Sequence, residues 1–192
     1  LASDGTYLYV SGQTTGKVWK INPSDMSKVA ESASYGNEIG ALAFDGTYLY
    51  AGGSGSGTVW KINPSNMSKV AESATYGGTI LALAFDGTYL YVGGGGSGKV
   101  WKINPSNMSK VAESDYYGQE IRALAFDGTY LYAGGLTETV WKINPSNMSK
   151  VAESVNYGDY IRALVSDSTY LYTGGDTGSV WQMLCTVYKK EV

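Results

Sequence analysis

An all-β fold, a single five-bladed β-propeller with four-stranded antiparallel blades of about 40 residues, is predicted for this chain by three observations. Trp19, Trp60, Trp101, Trp141 and Trp181 recur at spacings of 41, 41, 40 and 40 residues. The thirteen residues ALAFDGTYLYAGG stand at 41–53 and again at 123–135, and at 82–94 only Val92 differs. Each period holds four short apolar stretches bounded by Gly, Pro, Asn or Asp, and none sustains the 3.6-residue period of a helix. A parallel β-helix would need shorter coils, and a solenoid of helix pairs would need helical periodicity. The blades fall at approximately 1–39, 40–80, 81–121, 122–161 and 162–192 of one domain.

In the copy at 41–81, the first strand, ALAFD, alternates small Ala41 and Ala43 with large Leu42 and Phe44, which suits an inner strand where neighbouring backbones crowd. The following DGT is a tight hairpin in which Gly46 supplies positive φ. The second strand, TYLYA, puts Tyr48 and Tyr50 on one face. The third, TVWKI, puts Trp60 and Ile62 on one face and Val59 and Lys61 on the other. In NPSNM, Pro64 presets a turn and Asn63 and Asn66 bond back to the main chain, before SKVAES forms the last strand.

The run ALAFDGTYLYAGG, a Gly-rich turn and VWKINPS is similar to the blade pattern of the NHL and YVTN-type propeller repeats, over essentially the whole chain. It lacks the Gly-His and Trp-Asp signatures of WD40 blades, because Lys61 follows Trp60. In blade number and strand style the chain also resembles the tachylectin-2 type of five-bladed propeller lectin, and that resemblance implies sugar binding.

Copies 1 and 5 depart from the rest. The first-strand Phe44, Phe85 and Phe126 become Ser3 and Ser166, and the fifth copy ends VWQMLCTVYKKEV without the NPSNMSKVAES segment. A ring closed by blade packing alone is expected, with residues 185–191 as a shortened outer strand. The chain starts at Leu1 with no initiator Met and no apolar signal region, as expected of a processed chain or a part of a longer one. Compartment stays open on this sequence, with an exterior or surface location marginally favoured.

Composition narrows the function. With a net charge of −3 and Arg122 and Arg162 as the only arginines, the chain offers no basic surface for a phosphate backbone, so nucleic acid is not expected as a partner. The longest apolar run, Ile80 to Phe85, is far too short to span a bilayer. The absence of histidine and a single cysteine, Cys185, remove His-assisted nucleophiles, imidazole or thiolate metal cages and an internal disulfide. No metal and no cofactor are expected.

Residues 41–81 and 82–122 differ at eight positions, seven of which lie at 54 and 58 or at 74, 75, 78, 79 and 81. In an up-and-down blade, the turn from second to third strand and the connection to the next blade emerge on the same side. The differences therefore gather on one side, and the constant DGT and NPSNM turns on the other. Loops on a rigid scaffold commonly carry binding residues, although tight turns also tolerate less change than relaxed ones. The windows read ASYGNEIG, ATYGGTIL, DYYGQEIR and VNYGDYIR. Candidate ligand-binding residues are Tyr35, Asn37 and Glu38, then Tyr76 and Thr79, then Tyr116, Tyr117, Glu120 and Arg122, and last Asn156, Tyr157, Asp159, Tyr160 and Arg162.

A tyrosine beside amides, hydroxyls and carboxylates suits a ligand with an apolar face and many hydroxyls. The same Tyr-Gly pairs read equally as plugs between blades. Arg122 and Arg162 read as ion-pair partners of Glu120 and Asp159, or as anion-binding groups.

Glu38 and Glu120 occupy equivalent places and would have to stand about 5–10 Å apart to act as a glycosidase pair. Asp4, Asp45, Asp86, Asp127 and Asp167 end every first strand, where an Asp before Gly-Thr caps its own turn. The expected function is a non-catalytic recognition module, monomeric, for carbohydrate. The alternatives are a structural or protein-interaction propeller and, third, a carboxylate-based glycoside hydrolase.

Overall fold

A computed structural model describes residues 1–12 and 14–185. The fold is all-β, with no helix among these residues and five antiparallel sheets. The first sheet holds β1 (Ala2–Ser3), β2 (Leu8–Ser11), β3 (Val18–Ile21) and β4 (Lys28–Glu31). The second holds β5 (Ile39–Phe44), β6 (Leu49–Gly53), β7 (Trp60–Ile62) and β8 (Lys69–Glu72). The third holds β9 (Ile80–Phe85), β10 (Leu90–Gly94), β11 (Trp101–Asn104) and β12 (Ser109–Glu113). The fourth holds β13 (Ile121–Phe126), β14 (Leu131–Gly135), β15 (Val140–Ile143) and β16 (Lys150–Glu153). The fifth has three described strands, β17 (Ile161–Ser166), β18 (Tyr170–Gly175) and β19 (Val180–Leu184). Within each sheet the strands follow chain order, so the architecture is a propeller-like tandem repeat of meanders.

Register explains why neighbouring sheets fit. In the second sheet, Leu42, Ala51 and Trp60 stand opposite one another, as do Phe44, Leu49 and Ile62, and all share one face. Ala43, Tyr50 and Lys61 share the other. The tryptophan face packs on Tyr9 and Val18 of the first sheet, with Met67 joining it from the turn. The tyrosine face packs on Ile80, Leu90, Val92, Trp101, Ile103 and Met108, which belong to the third sheet and its turn. The same pairing joins third to fourth sheet. Each large apolar side chain buried this way contributes about 1.5–3 kcal/mol, so the junctions, and not the separate sheets, hold most of the stability.

A polar latch crosses every junction. Lys20 Nζ donates to the carbonyl of Pro64 at 2.9 Å, Lys61 to Pro105 at 2.8 Å, Lys102 to Pro145 at 2.6 Å and Lys142 to Cys185 at 2.6 Å. Each ammonium also lies 4.0 Å from the ring centroid of its own sheet's Tyr7, Tyr48, Tyr89 or Tyr130, so a half-desolvated charge keeps favourable partners.

The turns behave as their residues require. Asp45 Oδ1 accepts the amides of Thr47 and Tyr48 at 2.7 and 2.6 Å, and Oδ2 accepts the Tyr50 hydroxyl at 2.6 Å. Burial, then this bond to Asp45, pushes the Tyr50 hydroxyl far above its ordinary pKa. Asp4, Asp86, Asp127 and Asp167 repeat the pattern, so these carboxylates are committed to their own hairpins. In NPSNM, the Ser65 and Ser68 amides donate to the Asn63 and Asn66 side chains, and Met67 takes a φ of 59°. That left-handed residue turns its side chain inward, where it is buried.

The innermost strands stack in order, β1 on β5, β5 on β9, β9 on β13 and β13 on β17. They line a cavity of about 400 Å³ whose residues include Leu1, Leu42, Leu83, Arg122, Leu124 and Arg162.

The two ends differ from the middle. On the tyrosine face of the fifth sheet, Val165 and Val180 are exposed, and on the tryptophan face of the first, Val10, Trp19 and Met26 are exposed. These are the two faces that a seam between the first and fifth sheets would bring together. The expected outer strand at 185–191 lies, beyond Cys185, outside the described residues.

Candidate functional site

Backbone hydrogen bonds draw the two variable windows of each junction together. Ser54 N donates to Glu38 O at 3.0 Å and Tyr76 N to Gly57 O at 2.8 Å, so the loop at 54–58 is tied to the connections before and after it. Gly95 to Thr79, Tyr117 to Gly98, Leu136 to Glu120 and Tyr157 to Glu138 repeat this along the repeat. The variable positions therefore share one side, as strand direction demands.

Glycine makes this approach feasible. A Cβ on Gly53 would collide with the carbonyl oxygen of Glu38, and one on Gly94 with that of Thr79. The second glycine of the Gly-Gly pair in copies 2 to 5 is thus a clearance requirement, and β5 carries a register shift between Ile39 and Ala41 at the same place. Between two loops opens a groove of about 350 Å³, lined by Gly55, Ser56, Gly57, Thr75, Gly77, Gly78 and Thr79. Its walls are main chain and hydroxyls.

The candidate residues divide by depth. Tyr35, Tyr76 and Tyr117 are buried, with their rings about one van der Waals contact from Trp60, Trp101 and Trp141 at centroid distances of 5.0, 5.1 and 5.0 Å. Their hydroxyls donate to the carbonyls of Thr58, Lys99 and Thr139. They are plugs between sheets, and their rings are withdrawn from any ligand approaching the loop face. Tyr157 is half-buried, lies 5.5 Å from Trp181 and points its hydroxyl at Met183 Sδ, 3.7 Å away.

Tyr116, by contrast, is 61% exposed, its hydroxyl donating to Gly118 O at 2.8 Å and its ring beside Gly98. Asn37 is exposed beside Gly55, and Thr79 lines the groove. Asn156 is exposed and its side-chain oxygen accepts the Gly158 amide at 2.6 Å.

The charged candidates are engaged. Arg122 donates to Glu120 Oε2 at 2.7 Å, as its spacing suggests, while its Nε is buried without a partner. Glu38 is half-buried. Arg162 pairs with a different carboxylate from the expected Asp159: its Nε and one terminal nitrogen make a fork on Asp176 at 2.6 and 2.7 Å. Asp176 holds the Arg162 guanidinium above, and Arg162 holds the Asp176 carboxyl below, their ordinary pKa values.

Asp159 is taken instead by the amides of Thr177 and Asp176 and by the Thr177 hydroxyl, at 2.9, 3.1 and 2.8 Å. The Thr177 amide leads in holding that carboxyl below its usual range. Tyr160 is exposed, and the Arg162 guanidinium lies 5.8 Å from its ring centroid.

Ser56 and Thr75 of the groove and Asp176, the partner of Arg162, escape the sequence list. Thr75 and Asp176 occupy positions where the copies vary, which is the signal that could have found them. Among the described residues, no cluster of three or more His, Cys, Asp or Glu side chains could hold a metal, and no helix is long and apolar enough to cross a membrane.

No family model matches the chain, and no curated protein does. Among solved structures, the chain is similar to the computationally designed Ika8 protein, with a TM-score of 0.79 at 17% identity over 93% of this chain. The match covers 55% of that protein, so the chain spans about half the length of the structure it resembles, and the likeness is one of fold.

Proposed function

We propose that the five sheets stand radially as the blades of a five-bladed propeller and that the chain is a non-catalytic recognition module whose variable loop side binds carbohydrate. The observation that carries this reading is the groove at Gly55–Gly57 and Thr75–Thr79, where main-chain groups and the hydroxyls of Ser56, Thr75 and Thr79 face solvent in a shallow trough. A sugar offers many hydroxyls to such a wall and C–H surface to an exposed ring. At the next junction Tyr116 stands where Thr75 stands here, which supplies that ring. Similar junctions on one chain would add weak sites into avidity.

A protein-interaction scaffold is the second reading, favoured by the exposure of Tyr116, Val155 and Tyr160 on the connections between sheets. Glycan-array binding by the intact chain separates the two. The expected result is binding that falls at least tenfold in Thr79→Val and Tyr116→Ala, with folding unchanged because neither side chain is deeply buried. An array with no bound glycan overturns the carbohydrate reading, and turnover of an aryl glycoside lost in Glu120→Gln overturns the non-catalytic one.

A further inference from the structure

The two exposed end faces are the two halves of one junction. At the four internal junctions a tryptophan face meets a tyrosine face, and the chain leaves one of each unused. On the first sheet, Val10 stands opposite Trp19, and Leu8 opposite Ile21, as Ala51 stands opposite Trp60 and Leu49 opposite Ile62 in the second. Ala51 and Leu49 are fully buried by the sheet before them, whereas Val10 and Trp19 are 36% and 38% exposed. Met26 shares the left-handed backbone of Met67, φ 58° against 59°, yet is 67% exposed where Met67 is 1%.

On the fifth sheet, Val165, Tyr172 and Gln182 stand opposite one another. Val180 is 75% exposed where its counterparts Val18, Val59, Val100 and Val140 are all buried.

From this we infer that the chain associates head to tail, the tyrosine face of the fifth sheet of one copy docking on the tryptophan face of the first sheet of a second copy. The occupant is argued from continuity with the internal junctions: side chains of the same types, at the same register positions, already pack this way four times within the chain. Because the two faces are different surfaces, the contact is heterologous.

Two local differences set its strength. The latch lysine of the other sheets is Gln182 in the fifth, and among the described residues its amide donates only to the Tyr172 hydroxyl at 3.4 Å, so a neutral donor faces the Pro23 carbonyl of the second copy. Among the described residues, Trp19 also has no tyrosine ring contact of the kind that covers Trp60, Trp101 and Trp141. Association between copies is therefore weaker than any internal junction and depends on concentration, in place of the monomer expected from the sequence.

Sedimentation velocity over a hundredfold range of protein concentration tests this with three variants. The unaltered chain is expected to gain mass as concentration rises. Val10→Asp and Val180→Asp, each placing a charge on one exposed end face, are expected to remain monomers with unchanged circular dichroism. Mixed in equal amounts they are expected to form a dimer and nothing larger, since together they retain one intact pair of faces. Gln182→Lys restores the latch and is expected to tighten association on the order of tenfold. An unaltered chain that stays monomeric throughout overturns the inference, whether the chain closes on itself or leaves its ends free. So does a mixture that forms no dimer, or a Gln182→Lys chain that associates no better.

Discussion

The third and fifth sheets begin from nearly the same residues and end in different surroundings. Val100 is fully buried and Trp101 is 9% exposed, while Val180 and Trp181 are 75% and 45% exposed. The third sheet has a neighbour on each face and a fourth strand, and the fifth has a neighbour on one face and three described strands. The repeat thus carries no core of its own: the same tryptophan is a core residue or a surface one according to what stands beside it. Stability in such an array is a sum of junctions.

The largest contrast should come from the tryptophans. Trp101→Ala should cost about 3–5 kcal/mol, read from equilibrium urea unfolding, and Trp181→Ala about 1–2 kcal/mol. Equal losses would mean that the outer edge of the fifth sheet, where Trp181 is exposed, is covered in solution. Gly93 and Gly174 end the second strands of the same two sheets and sharpen the comparison at smaller scale. A Cβ on Gly93 meets the Ile121 side chain, and one on Gly174 meets nothing within 4 Å. Gly93→Ala should cost about 1–3 kcal/mol and Gly174→Ala no more than about 0.5 kcal/mol in the same measurement.

The smallest effect has the opposite sign. Ser168 takes the hairpin position of Gly46, Gly87 and Gly128 at φ 73°, a left-handed conformation that a side chain disfavours. Ser168→Gly should stabilise the chain by about 1 kcal/mol, seen as a raised unfolding midpoint.

Much of this is legible in the sequence. The tryptophan period marks the repeats, strand alternation puts Trp60 with Ile62 and apart from Lys61, and the direction of successive hairpins puts both variable windows on one side. What the sequence hid is depth and the choice among partners. Tyr117 and Tyr116 are adjacent, yet one is a plug and the other is exposed, because alternation along an irregular connection has no fixed phase. Arg162 finds Asp176 instead of the nearer-in-sequence Asp159 because a loop fourteen residues away folds against it while backbone amides claim the closer carboxylate. Nothing in NPSNM marks Met67 as a core residue. Its left-handed backbone is offset by the burial that backbone makes available to a flexible side chain.

The lysine bridge from one sheet to the carbonyl of the next sheet's turn uses the same ammonium, carbonyl and tyrosine ring at each step from Lys20 to Lys142. Any of the four lysine-bearing units can consequently follow any other. A gene encoding this chain can gain or lose a whole period by unequal crossing-over without creating an unfamiliar boundary, and the number of units is a quantity that evolution can count up or down while every surviving contact keeps its form.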